Sequence, residues 1–139
     1  LIKGRQGDTA SFTFDFNKNQ LESIENILEE ELIGLGVECV VLIDLAGNVI
    51  VNLDNGKCEH DVYSLAALAA ANFGAVSAMA NIIGEEEFSL LFHKGENDSI
   101  HFSKIGTDLL LLTIFGKEVS LGFLRLKVNE ANNKIKELV

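Results

Sequence analysis

An α+β fold is predicted, in the order α-β-β-α-β-β-β-α, with a five-stranded antiparallel sheet and helices on its faces. Three observations predict it. Residues 62–84 carry neither a charge nor a proline, as expected of one long buried helix. Two pairs of β-rich runs, each around a glycine-containing turn, read as hairpins on either side of that helix. Apolar residues at helical spacing near both ends of the chain supply two more helices.

In order, residues 1–16 mix Gly, Lys, Asp and Thr without a period and read as a loose lead-in, separate from a single domain over 17–139. From Asn17 to about Leu35, Leu21, Ile24, Ile27, Leu28 and Leu32 form one stripe opposite Glu22, Glu25, Glu29 and Glu30. Gly34 and Gly36 end this first helix. Residues 37–44 and 49–53 are β-branched runs around the turn Leu45-Ala46-Gly47-Asn48. Residues 54–60 are polar and lead into the long helix. Beyond it, residues 85–94 and 98–105 flank Gly95-Glu96-Asn97 as a second hairpin, and residues 108–115 form a fifth strand after Gly106-Thr107. Ser120 can cap a last helix whose apolar positions are Leu121, Leu124, Val128, Ala131, Ile135 and Leu138. The alternation in residues 119–128 also fits a strand, but helix is the assignment taken.

The long helix organises the chain. Asp61 can cap its first turn and Gly84 can stop it in a left-handed conformation. One stripe, Leu65, Leu68, Ala69, Asn72, Val76, Met79 and Ile83, is large enough to cover the sheet. A second, Ala67, Ala70, Ala71, Gly74 and Ala78, is nearly all small. A helix that is apolar all round needs cover on a second side. Its length suits a membrane, yet alanine dominates it and Ser64, Asn72, Ser77 and Asn81 interrupt it, so membrane insertion is not expected. The chain has too few other elements to surround it. A second copy is the expected cover, because small residues let two helices approach and a two-fold axis presents one patch to itself.

Composition narrows the partners. Of 139 residues, 47% are hydrophobic, and 21 acids against 11 bases give a net charge of −10. Nucleic acid is a poor partner for such a chain, since phosphate binding needs clustered Lys and Arg. Cys39 and Cys58 belong to no C-x-x-C pair and are read as reduced thiols of a cytoplasmic protein.

The segments VVLIDLAGNVI, SLAALAAANFGA, GEEEFSLLFHKGENDSIHFSKIGTDLLLLTIF and SLGFLRLKV, in that order, resemble the roadblock family of dynein-light-chain-type domains, and especially its bacterial gliding-polarity branch. The resemblance covers roughly residues 20–135. It implies a profilin-like or longin-like sandwich and pairing through the central helix and the neighbouring strand, which adds Phe88 and Leu90 to the expected dimer interface. It also implies a small Ras-like GTPase as partner, activated by gliding-polarity members and only bound by scaffold members.

No catalytic constellation of the chain's own emerges. The phosphate-binding G-x-x-x-x-G-K-[ST] and G-x-G-x-x-G and the nucleophile elbow G-x-S-x-G are all missing, so neither an enzyme nor a cofactor is expected. His93 and His101 could face each other across the second hairpin, but a third ligand is not evident, and no metal is assigned. Glu85-Glu86-Glu87 reads as a solvated turn that discourages edge pairing. An arginine finger must reach the transferring phosphate. The two arginines are Arg5, in the lead-in, and Arg125, which reads as a surface residue near the start of the last helix. Activation of a GTPase is therefore expected to act on the GTPase's own switch segments. Tyr63, Phe73 and Arg125 are candidate partner contacts, with Phe73 alternatively filling the dimer seam and Tyr63 lying at its rim. The reading is a homodimeric GTPase regulator of cell polarity or motility; the alternative is a dimeric adaptor that only tethers.

Overall fold

The computed structural model describes residues 16–56, 58–88 and 91–138. Their order is α1 (Lys18–Glu31), β1 (Cys39–Asp44), β2 (Val49–Asp54), α2 (Val62–Ile82), β3 (Leu91–Lys94), β4 (Asp98–Ile105), β5 (Leu109–Gly116) and α3 (Leu121–Lys136), as the sequence predicts. The strands form one antiparallel sheet in the spatial order β2-β1-β5-β4-β3. The lead-in over residues 1–15 and Leu90 lie outside the described residues.

Every residue of β1 and β5 is buried, because both strands lie inside the sheet and both faces are covered. Alternation divides them between two cores. Val40, Leu42, Leu109, Leu111 and Phe115 pack with Ile24, Leu28, Leu124, Val128 and Ile135 of α1 and α3. Cys39, Val41, Ile43, Leu110, Leu112 and Ile114 pack under Val62, Ala66, Ala69 and Phe73 of α2. Each helix has a marked start. Asn17 and Gln20 form a reciprocal capping box for α1, the Asp61 carboxylate accepts from the Ser64 N–H at 3.1 Å, and the Ser120 hydroxyl accepts from the Phe123 N–H at 3.1 Å. Glu31 joins the two helices of one layer, accepting from Lys134 Nζ at 3.1 Å with Lys127 Nζ at 3.9 Å. The Lys134 hydrogen bond holds its carboxyl below the ordinary carboxylate range.

Two boundaries differ from the sequence reading. The first helix ends at Glu31 and a short 3-10 turn, Ile33–Leu35, carries the chain to Gly36 at φ +106°, so Gly36 is the left-handed stop and Gly34 is not. Residues 85–88 are not part of strand β3, whose described range is Leu91–Lys94. Glu85, Glu86, Glu87 and Phe88 are exposed, and Glu87 pairs with Lys104 of β4 at 3.2 Å through side chains instead of a strand ladder. Asp44 fixes the first hairpin turn: its carboxylate is buried and accepts from the N–H groups of Ala46 and Asn48 and from the Asn48 amide.

Candidate protein-interaction face

Helix α2 turns a row of mostly small residues to the sheet. Val62, Ala66, Ala69, Phe73 and Ala80 are its buried positions, and their size matches a sheet surface already filled by Cys39, Val41, Ile43, Leu110, Leu112 and Ile114. Only part of the stripe expected to cover the sheet does so: Ala69 is buried and Leu65 packs against the same core, while the larger members farther round the helix face outward. Leu68 is 68% exposed, Met79 54% and Ile83 67%, joined by Ile82 at 83% and Tyr63 at 58%. A second row of large residues would lift the helix off a surface that is full without them.

The expected dimer residues divide as follows. Ala67, Ala71, Gly74 and Ala78 are exposed and Ala70 is half-buried, so the small-residue stripe shares the outer face of α2 with Leu68 and Met79. A Cβ built at Gly74 would meet nothing within 4 Å. Phe88 is 38% exposed.

Phe73 is not on that face. Its ring is buried against the sheet among the α2-side core, with Lys104 Nζ 5.9 Å from its centroid. It is therefore neither an open stacking platform nor part of a seam on the outer face. Phe73 and Arg125 both line a cleft of about 550 Å³ beside β4, together with Lys104, His101, Asn132 and Lys136; Tyr63 is not among its walls. The His101 imidazole is buried, and its Nδ1 has no hydrogen-bond partner among the described residues. Burial first, and the Arg125 guanidinium second, push its pKa down to about 4, so the ring is neutral near pH 7. The suggested facing of His93 and His101 is corrected by the register: His101 opposes Phe92 and His93 opposes Ile100, placing the histidines on opposite faces of the hairpin. Cys39 and Cys58 are both free thiols; burial chiefly, then the neighbouring Cys58, pushes the Cys39 thiol up.

The sequence reading placed Ala69 on the sheet side but missed Val62, Ala66, Phe73 and Ala80. The signal available was the bulk of the strands: where β1 and β5 present Val, Ile and Leu, the helix row facing them can be small. Helix α2 also has the length and hydropathy of a membrane span, but it lies over the sheet as one layer of the domain.

Comparison with known proteins follows the same lines. The Roadblock/LC7 domain family matches residues 26–115. Among solved structures, MglB of Myxococcus xanthus is 30% identical, covering 84% of this chain and 94% of its own, with a TM-score of 0.77. The gliding protein MglB of Thermus thermophilus is 26% identical, covering 91% of this chain and 95% of its own, with a TM-score of 0.83. A structure described as MglB with a tetrameric arrangement is 26% identical over 91% of this chain and 94% of its own, with a TM-score of 0.84. No curated protein matches the sequence. With the family matching well over half of the chain and its order of helices and strands reproduced, this chain belongs to the Roadblock/LC7 domain family.

Proposed function

We propose that this chain is a cytoplasmic, homodimeric regulator of a small Ras-like GTPase in cell polarity or motility, and that it stimulates hydrolysis without an arginine finger. The observation that carries the reading is the outer face of α2. Leu68, Met79, Ile82 and Ile83 stand more than half exposed on a helix whose other side is already committed to the core. A contiguous apolar surface of that kind marks an interaction site. Its small central residues suit a second copy of the same helix, and the likeness to MglB proteins, one of them described in a tetrameric arrangement, supports self-association and a role in gliding. Arg125 belongs to α3, in the opposite layer, and lines a cleft with Lys104 and Asn132, which supports a mechanism acting through the GTPase's own switch segments.

The test is retention of a Ras-like GTPase of the source organism on this chain, loaded in parallel with a non-hydrolysable GTP analogue and with GDP, followed by single-turnover hydrolysis. Retention with the analogue alone, and stimulation that Arg125→Ala leaves intact, are the expected results. Equal retention in both nucleotides without stimulation would replace the regulator by an adaptor. Loss of stimulation with retained binding in Arg125→Ala would instead make Arg125 the finger.

A further inference from the structure

Three potential metal ligands from three separate segments meet at one end of the sheet. Glu38 precedes β1, His60 closes the loop before α2 and Asp98 opens β4, and one ligand atom from each lies within 4.8 Å of the others. The backbone dictates the meeting. The Glu38 N–H donates to Ile114 O of β5 at 3.0 Å, while Asp98 pairs with Gly116 on the other side of the same strand. Between them β5 ends in a residue without a side chain, and the space is used: a Cβ on Gly116 would come within 2.8 Å of the Glu118 carboxylate. The Glu38 and Asp98 carboxyls contact each other, and Glu118 is close enough to act on Glu38 electrostatically. Among the described residues, no Lys or Arg forms an ion pair with Glu38, Asp98 or Glu118.

We propose that Glu38, His60 and Asp98 form a divalent-cation site, with the Glu118 carboxylate at its edge, and that the site prefers Zn²⁺ to Mg²⁺ or Ca²⁺. Zinc binds carboxylate oxygen and imidazole nitrogen at about 2.0–2.2 Å in a tetrahedral shell, so two donors of one ion lie about 3.4 Å apart. The ligand atoms of the cluster lie within 4.8 Å of one another, so rotation of exposed side chains has to draw them in by up to about 1.4 Å. An imidazole in the set favours zinc over the oxygen-seeking Mg²⁺ and Ca²⁺. A bound ion would fasten the loop leading into α2 to the ends of β1 and β4, and so steady the helix that carries the interaction face. This inference is independent of the GTPase reading.

The experiment is calorimetric titration of the full chain with Zn²⁺, Mg²⁺ and Ca²⁺ chlorides, alongside the absorption spectrum of the Co²⁺ complex. Expected are one Zn²⁺ per chain, a weakening of at least ten-fold in Glu38→Gln and in His60→Ala, and a Co²⁺ spectrum without a thiolate charge-transfer band. Because His60 is exposed, His60→Ala keeps the test meaningful if Glu38→Gln folds poorly. Cys58→Ser is expected to bind as the parent does. Zinc binding unchanged in both ligand variants, loss of binding in Cys58→Ser, or equal competition by Mg²⁺ or Ca²⁺ would each overturn the site.

Discussion

Replacing Gly74 by alanine and by glutamate separates what α2 does alone from what it does against a partner. A Cβ at this position meets nothing within 4 Å in the single chain. Helix propensity then acts alone, and Gly74→Ala should stabilise the fold by about 1 kcal/mol. In a two-fold pair through the centre of α2, the same position faces its own copy, and the balance changes sign. Full burial of a large apolar side chain is worth roughly 2 kcal/mol. At the exposures of Leu68, Met79, Ile82 and Ile83, two chains gain about 10 kcal/mol together. Association itself costs about 4–15 kcal/mol, so the surplus is small. Two glutamates brought together in such a seam, each losing water, cost several kcal/mol and should raise the dimer Kd at least about 100-fold. Sedimentation equilibrium over a concentration series reads the Kd, and thermal unfolding confirms that each variant is folded. A folded Gly74→Glu with an unchanged dimer would refute the assignment of this face. A monomeric parent chain would refute self-association altogether.

Two further predictions concern the fold around the site. His101 has its folded pKa lowered from 6.5 to about 4, so between those values the unfolded chain binds more protons and stability is lost as pH falls from 6.5 toward 4. At about 1.4 kcal/mol per pH unit the loss approaches about 3 kcal/mol, and denaturation of His101→Gln at pH 7 and pH 4.5 should show a shallower decline than the parent; an equal decline would show that His101 does not contribute. Gly47 stands at φ +92°, and a Cβ there would lie 3.2 Å from the Ala67 Cα, so Gly47→Ala should lower unfolding stability by about 2–3 kcal/mol in a urea titration. A loss under about 0.5 kcal/mol would mean that the hairpin turn is free to shift away from α2.

Much of this architecture was legible because the signals were local. Asn17, Asp61 and Ser120 each mark a helix start through a side chain that caps only its own first turn, and Gly36 and Gly84 adopt the left-handed conformation that a helix stop requires. Alternation in β1 and β5 was less informative than continuity. Both strands read as near-continuous apolar runs, interrupted only by Thr113 inside β5 and Asp44 at the end of β1, because both faces are covered. The end of the loop before β3 was not legible: Glu85-Glu86-Glu87-Phe88 runs straight into the apolar stretch that follows with no glycine or proline to separate them, and nothing local says that Glu87 meets Lys104 by its side chain.

The rotation of α2 about its axis was beyond local signals for a definite reason. Apolar residues surround the helix, so it has no polar side to point outward, and the stripe that covers the sheet is settled by volume rather than polarity. Size alone misleads, since Leu68, Met79 and Ile83 look like core and stand in solvent, while Ala66 and Ala80 look like spacers and are fully buried. The arrangement becomes intelligible when the helix is given two neighbours instead of one. The first is a sheet whose bulk admits only small residues and one phenylalanine. The second, in the proposed self-association, is a two-fold copy, which would take Leu68, Met79 and Ile83 at its margins and Ala71 and Gly74 where the helices cross. The grouping of Glu38, His60 and Asp98 is illegible in the sequence for a different reason. Glu38, His60 and Asp98 have no motif spacing along the chain, and only the register that sets Glu38 and Asp98 on either side of the end of β5 brings them together.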